Sequence, residues 1–148
     1  MGQQPVVTID DITRVAFESR RPGCEKGVMH VEGPVQTAIF RVGPGSGVPV
    51  HLHSRVYDLF VGVRGLLEIR YEGQHEQGTF ELKPGAFCAM PPGVKHEVFN
   101  PSATEEAYFL IVHAPHDGYD FVPVDFRHIA AALSDREYGA SQKAVGEG

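Results

Sequence analysis

The 148-residue sequence contains no tryptophan and only two cysteines, Cys24 and Cys88. The two cysteines lie far apart and form no CxxC pair, so we expect reduced thiols rather than a disulfide framework. The sequence also lacks any apolar run of about 18 residues, the length that a membrane-spanning helix needs. We therefore expect neither a membrane span nor a membrane partner.

Basic residues are also few. The 13 lysines and arginines are outnumbered by 19 aspartates and glutamates, giving a net charge of −6. This balance argues against nucleic acid or an anionic membrane surface as a partner. The first residues, MGQQPVVTIDD, lack the basic region and apolar core of a secretion signal. Together with the expected reduced thiols, this predicts a cytoplasmic protein.

The sequence does contain many turn formers, with 17 glycines and 11 prolines. They separate short apolar runs, which is typical of strands joined by turns. The length fits one domain with one core. We expect an all-β antiparallel sandwich or barrel. The predicted strands are 5–9, 28–32, 35–42, 48–53, 57–63, 66–71, 79–82, 86–90, 95–99 and 107–113, and residues 19–27 are predicted to form a loop.

The end of the chain has a different pattern. Asp125 can cap a short helix over residues 126–138, in which apolar side chains recur at helical spacing. We predict that residues 1–138 form a single domain that includes this helix. Residues 139–148 are expected to be a disordered tail.

Histidines concentrate on two of the predicted strands. His51 and His53 lie two positions apart, so they share a face of their strand. Asp58 follows on the next strand, and His96 lies on a later one. Three imidazoles and a carboxylate suit a single divalent transition metal ion, for which we expect iron, zinc, manganese or nickel. Ligation would also remove the cost of burying unpartnered histidines.

The stretches that carry these residues resemble a known family. Residues Gly45 to Gly65, GSGVPVHLHSRVYDLFVGVRG, are similar to the first motif of the cupins. Residues Gly85 to Asn100, GAFCAMPPGVKHEVFN, match the second cupin motif. The resemblance implies an antiparallel jelly-roll barrel, often dimeric, in which His51, His53 and His96 hold a metal ion.

Asp58 departs from the cupin pattern, because that position is usually a glutamate. Aspartate is one methylene shorter, so it can be a metal ligand, or contact the metal loosely or through water. It can also be a partner of the ligands or a general base. We therefore count Asp58 both among the metal ligands and as the candidate catalytic residue.

Other residues are weaker candidates. Arg41 lies on the predicted strand before the first motif, a strand that often lines the pocket of cupins, so it could bind a substrate carboxylate. An ordinary surface arginine is an equal alternative. His113 and His116 could line the mouth of the barrel, and His30 could point into it. Cys88 has the position of a packed strand residue.

Cupins include dioxygenases, isomerases, decarboxylases and lyases, so the resemblance alone does not choose a reaction. We favour a metal-dependent enzyme of the dioxygenase type that acts on a small-molecule substrate. The alternatives are a non-redox isomerase, epimerase or lyase on a small organic acid or sugar, and a non-catalytic protein that binds a small ligand. We also predict a homodimer, because Tyr57 to Val63 is apolar on both faces and needs a cover, which N-terminal strands could instead provide.

Overall fold

Antiparallel strands joined by tight turns make up most of the computed structural model, which describes residues 2–133. The strands are β1 (Glu18–Arg21), β2 (Cys24–Glu32), β3 (Val35–Val42), β4 (Gly47–Leu52), β5 (Tyr57–Arg64), β6 (Leu67–Glu72), β7 (Gln77–Leu82), β8 (Phe87–Met90), β9 (Lys95–Phe99), β10 (Ala107–Ala114) and β11 (Val122–Pro123). Short 3₁₀ turns occur at Ile12–Arg14 and His116–Gly118. Among residues 2–133, no helix has the length and apolar character needed to cross a membrane.

The strands form two sheets, with the orders β1-β2-β3-β10-β5-β8 and β11-β4-β9-β6-β7. In both sheets a late strand lies between early ones: β10 separates β3 from β5, and β9 separates β4 from β6. This crossing brings the two motif stretches together, because β4 from the first lies directly beside β9 from the second. The prediction of an all-β antiparallel fold is confirmed.

Phenylalanine rings fill the space between the sheets. Inward-facing Phe40 on β3 stacks on Phe109 of β10 with ring centroids 4.9 Å apart, and Phe60 of β5 lies 5.5 Å from Phe109. Each ring is almost fully buried, and such burial stabilises the fold by about 1.5–3 kcal/mol per side chain. The Phe60 ring also lies 6.0 Å from that of His96, so this apolar layer forms the floor beneath the histidines.

Strands predicted from residue 28 to residue 113 are confirmed, with small differences at their ends. The prediction fails at the N-terminal end, where residues 5–9 form no strand and the expected loop 19–27 is mostly a hairpin of β1 and β2. Pro22-Gly23 need only a tight turn, with Gly23 at a φ of 76°, so the residues on either side can pair. This hairpin turns Arg21 and Lys26 into the protein, where both are buried.

The predicted C-terminal helix is wrong over its described part, because residues 126–133 contain no α-helix. Residues 134–138 of that prediction, and the predicted tail 139–148, lie outside the described residues. The segment instead runs across the outer face of β6 and β9. There it hydrogen-bonds to strand side chains, including Arg70, which donates to the carbonyl oxygen of Ala130.

Strand carboxylates hold backbone amides of this segment. Glu72 and Glu97, both buried, each accept hydrogen bonds from two consecutive backbone amides of this segment. The donors are Arg127 and His128 to Glu72, both at 2.7 Å, and Ala132 and Leu133 to Glu97, at 3.0 and 3.1 Å. The amides of Ala132 and Leu133 are held by Glu97 and are not available to carbonyls one turn back, so the helical spacing of the apolar side chains does not produce a helix there.

Candidate metal centre

Both sheets contribute to a cluster of polar residues at one end of the barrel. His51 on β4 pairs in register with His96 on β9, and His53 comes directly after β4. Asp58 comes from β5 of the other sheet. All four side chains are buried, with exposed fractions of 1–3%. The structure therefore brings together the four residues that were predicted as metal ligands.

The carboxylate of Asp58 lies at the centre of the cluster. Its Oδ2 atom is 2.8 Å from Nε2 of His53 and 3.1 Å from Nε2 of His96. One possible ligand atom from each of the four residues lies within 4.8 Å of the others. Around one ion, ligands at about 2.0–2.2 Å lie up to about 4.4 Å apart. The cluster thus fits a metal ion after small adjustments.

The histidine rings are held by their other nitrogen, Nδ1. The acceptors are the backbone carbonyl oxygens of Pro49 for His51, Asp120 for His53 and Val94 for His96, at 2.8, 2.5 and 2.9 Å. A carbonyl oxygen only accepts hydrogen bonds, so each Nδ1 carries a proton and each neutral ring has its lone pair on Nε2. Histidines that bind metals are commonly oriented in this way. At His53 and His96 this lone pair would face the Asp58 oxygen, so a cation, either a proton or a metal ion, is needed between them.

Burial and the Asp58 charge set the protonation states of the cluster. Burial lowers the pKa of His51 well below its ordinary value, and the neighbouring His96 and His53 lower it further. Burial also opposes protonation of His53, but its hydrogen bond to Asp58 and the Asp58 charge outweigh burial and raise its pKa. Burial opposes ionisation of Asp58, yet hydrogen bonds from His53 and His96 hold its pKa well below the ordinary value. The ionised carboxylate and the neutral His51 are the forms that bind a metal ion.

His113 is a further member of this site that the sequence placed only at the mouth of the barrel. On β10 it pairs in register with Asp58, and its Nε2 lies 3.2 Å from Asp58 Oδ1. Burial lowers the pKa of His113 to about 4 although the Asp58 charge opposes this shift, so the ring is neutral at pH 7. Its Nδ1 has no hydrogen-bond partner within the described part of the chain. The strand was predicted, but its alignment with β5 was not.

A family model described as "Cupin domain" matches residues 38–113, which is more than half of the chain. The chain belongs to the cupin domain family. The matched region runs from β3 to β10 and includes His51, His53, Asp58, His96 and His113. No curated protein matches the chain in sequence.

Solved structures share the fold of this cupin. The polyketide cyclase RemF from Streptomyces resistomycificus has 20% sequence identity and a TM-score of 0.66, over 83% of this chain and 89% of that one. KdgF from Halomonas sp. has 15% identity and a TM-score of 0.63, over 76% of this chain and 94% of the other. TT1209 from Thermus thermophilus has 27% identity and a TM-score of 0.60, over 72% and 96% of the two chains. The first two likenesses, at such low identities, show the fold alone.

The remaining candidates lie outside the cluster. Arg41 is on the outer side of β3, where its Nε and Nη2 atoms lie 2.8 and 2.7 Å from Oε1 of Glu25. The structure does not bring Arg41 to the cluster. Its role in substrate binding stays a prediction. His30 is exposed, whereas the His116 ring lies 6.2 Å from that of His113. Burial raises the pKa of the Cys88 thiol, which disfavours a nucleophilic thiolate.

Residues 119–121, which we call the aromatic strap, cover the cluster on the outside. The Phe121 ring stacks on His51 with centroids 4.2 Å apart and an interplanar angle of 15°. The Tyr119 ring lies 5.0 Å from that of His53. Between them, Asp120 accepts hydrogen bonds from the Ser54 amide at 2.8 Å and the Ser54 hydroxyl at 2.5 Å. The strap is therefore fastened to the turn that follows β4.

The space beside the cluster is small. A cavity of about 10 Å³, room for about one water molecule, lies among the histidines and the inward-facing phenylalanines. An organic substrate does not fit in a cavity of this size. The rings of Phe121 and Tyr119 lie against His51 and His53, so we expect access to these two histidines from that side to require movement of the rings.

Proposed function

We propose that this cupin is a metal-dependent enzyme acting on a small organic molecule, and that it is an oxidoreductase of the dioxygenase type. The observation that carries the proposal is the orientation of His51, His53 and His96. Each Nδ1 donates to a backbone carbonyl, so Nε2 is the ring nitrogen available to a metal ion, which at His53 would displace the proton shared with Asp58. Asp58 adds an ionised oxygen at the same point.

His51, His53, His96 and Asp58 would hold the ion. A bound iron or manganese ion would supply Lewis acidity and redox chemistry toward a chelating substrate and dioxygen. The protein's own residues keep water out of the site and orient the metal ligands. The Phe40, Phe60 and Phe109 layer and the strap exclude water, and the carbonyl hydrogen bonds fix each imidazole in one orientation.

A specific observation also favours the second candidate, a non-redox isomerase, epimerase or lyase. His113 is neutral, buried and adjacent to Asp58, with a Nδ1 atom that has no partner among residues 2–133. An imidazole in this position could accept a proton from a bound substrate and return it at another atom. This chemistry needs a Lewis acid but no oxidant.

Elemental analysis of the purified protein, followed by reconstitution with iron, zinc, manganese, nickel or cobalt, is the first test. We expect about one ion per chain, bound by wild type and by the control His75→Ala but not by His96→Ala. His75 is exposed in a hairpin, so the control removes an imidazole without touching the site. If wild type takes up none of these metals and its melting temperature does not change on their addition, the proposal fails.

Reconstituted protein then distinguishes the reaction classes. A dioxygenase should consume oxygen with its substrate when loaded with iron and consume none when loaded with zinc. Turnover with zinc or manganese without oxygen uptake would instead support the isomerase or lyase. Metal binding with no turnover across a broad panel of organic acids, enols, diols and sugars would contradict an enzymatic role and favour ligand binding.

A further inference from the structure

The barrel is open on one side, between the last strands of its two sheets. β8 is the last strand of one sheet and β7 is the last strand of the other, and the two sheets do not pair along these edges. Tyr71, Phe80, Cys88 and Val94 pack against the core here, yet each is only partly buried. Apolar side chains that stay partly exposed around a concave opening are typical of a ligand site.

The opening forms a pocket of about 190 Å³. In another protein, an engineered apolar cavity of about 150 Å³ binds benzene. The pocket therefore has room for one six-membered ring with a small substituent. By contrast, the cavity beside the histidines, at about 10 Å³, has room only for a water molecule.

The lining of the pocket favours an aromatic occupant. Tyr71 and Phe80 contribute aromatic rings, which prefer to pack edge-to-face or offset against another ring. Cys88 and Met90 contribute sulfur atoms, which also make favourable contacts with ring edges. Among the described residues that line the pocket, Glu76 carries the one charge, and its carboxylate repels anions. The chemistry therefore suits an aromatic molecule that is neutral or positively charged.

The pocket adjoins the metal centre. Tyr71 pairs in register with His96, and Met90 pairs with Asp58. Residues that are directly opposite in antiparallel strands have Cβ atoms about 4.5–5.5 Å apart on the same face. Val94, a third wall residue, accepts the hydrogen bond from His96 Nδ1 through its carbonyl oxygen at 2.9 Å. An occupant of the pocket would thus lie one side chain away from two metal ligands.

We infer that this pocket binds a small molecule with a single aromatic ring, neutral or positively charged. Its lining residues include none of His51, His53, Asp58 and His96. The inference therefore goes beyond the proposed function and does not require a metal ion. Organic anions and saturated rings are poor ligands for the pocket, because the first are repelled by Glu76 and the second lack the edge and face that the lining attracts.

Methionine methyl signals give a direct test by NMR on metal-free protein. The sequence has three methionines, of which Met90 lines the pocket and Met29 lies on β2 outside it. Met90→Leu assigns the Met90 signal. Benzyl alcohol should shift that signal saturably, with a dissociation constant of about 1 mM or tighter, and should move the Met29 signal far less. A Met90 signal that does not move, or that moves without saturation, would overturn the inference.

Three related probes test the ligand class. Benzylamine, which is a cation at pH 7, should bind at least as tightly as benzyl alcohol. Cyclohexylmethanol and benzoate should each bind at least about threefold more weakly than benzyl alcohol. If cyclohexylmethanol binds as well as benzyl alcohol, the aromatic preference is wrong. If benzoate does, the assigned charge of the ligand is wrong.

A variant that fills the pocket locates the bound ring. Cys88→Leu adds bulk inside the pocket, so it should weaken benzyl alcohol binding by at least about fivefold. The matched control is Thr79→Leu, which adds an apolar side chain at an exposed position of β7 and should bind as wild type does. Unchanged affinity in Cys88→Leu would place the ring elsewhere and contradict the inference. Should Cys88→Leu fail to fold, Cys88→Val makes the same test with a smaller side chain.

Metal loading separates this inference from the proposed function. Benzyl alcohol should shift the Met90 signal both in metal-free protein and after zinc is added. A shift that occurs only with zinc would place the probe at the metal ion and overturn the inference. A protein that takes up no metal but binds the probe would contradict the metal-dependent function and support the aromatic site.

Discussion

Asp58 is the residue on which the chemistry of this cupin depends most. Its two carboxylate oxygens contact His53 and His96 on one side and His113 on the other. Aspartate is one methylene shorter than the glutamate usual at this position, but its carboxylate lies within hydrogen-bond distance of the imidazoles of His53 and His96. Strand β5 brings Asp58 close enough to the histidines for the shorter side chain to reach them.

Asp58→Asn should therefore weaken metal binding strongly while leaving the size of the side chain unchanged. The loss should be at least about tenfold, the lower end for residues that only support metal ligands. Competition with a chelator of known affinity measures it. The control is Asp117→Asn, at an exposed position of a 3₁₀ turn, which should bind metal as wild type does. Unchanged affinity in Asp58→Asn would remove Asp58 from the ligand set.

Metal binding should also depend on pH in a defined direction. The pKa of His53 is raised above the ordinary imidazole value of about 6.5. The metal-free site therefore keeps a proton at pH values at which a free imidazole has already lost it. A metal ion must displace that proton, so affinity should fall as the pH is lowered from about 8 to about 6. His51, whose pKa is lowered, is already neutral and adds nothing to this effect.

Calorimetry near pH 7 in buffers of different ionisation enthalpy measures the proton released. We expect up to about one proton per zinc ion in wild type. Asp58→Asn should release less, because His53 then loses the carboxylate that raises its pKa. Affinity that is constant from pH 6 to pH 8, with no proton release, would contradict the assigned protonation states.

At the level of elements, we expect the aromatic strap to control access to the site, because its rings lie against His51 and His53. Phe121→Ala removes the ring that covers His51, so a chelator should remove the metal several-fold faster than from wild type. The cost to stability should be below the roughly 3–5 kcal/mol of a fully buried phenylalanine, because Phe121 is partly exposed. Val31→Ala is the control, since Val31 is an apolar side chain that is 47% exposed on β2. Equal release rates in the two variants would show that the strap does not gate the site.

The C-terminal segment is a second element with a specific attachment. Glu97→Gln leaves one amide donor of this segment facing a side-chain NH₂ group, so the variant should lose about 1–3 kcal/mol of unfolding free energy. Urea denaturation measures the loss. Glu81→Gln on the exposed face of β7 should change stability by less than about 0.5 kcal/mol. A Glu97→Gln protein as stable as wild type would mean that the carboxylate does not hold the segment.

For the whole molecule, the predicted homodimer remains to be tested, and the structure indicates where it would form. The outer side of β5 and β8 has Tyr57 and Phe87 exposed by 47% and 58%, and Val61 pairs in register with Phe87. Residues 5–9 form no strand that could cover this surface. We expect light scattering to give the mass of a dimer and Phe87→Ser to shift it toward monomer. A monomer at high concentration would contradict the prediction.

The sequence predicted the parts of this molecule that depend on local spacing. Alternation of apolar and polar residues predicted the strands, and the spacing of the two motifs predicted that His51, His53, Asp58 and His96 lie together. The sequence did not predict the features that depend on which strands are neighbours in a sheet. His113 enters the site only because β10 pairs with β5 in one register.

Helical spacing failed at the C-terminal segment for a related reason. The periodicity of its apolar side chains says nothing about carboxylates on distant strands that hydrogen-bond its amides. Likewise, the Pro22-Gly23 pair marks a turn but does not show that the flanking residues pair and carry Arg21 and Lys26 inward. At the C-terminal segment, local propensity was overridden by partners far away in the sequence.

The attachment through Glu72 and Glu97 has an evolutionary consequence. An amide N–H is the same group in every residue except proline, so these carboxylates select the path of the segment and not its side chains. Arg127 and His128 are exposed, and mutation could replace them with almost anything but proline without loss of the contact. Selection should act instead on the two glutamates, far away in the sequence. Relatives that retain both could share this arrangement even where their C-terminal sequences have diverged beyond alignment.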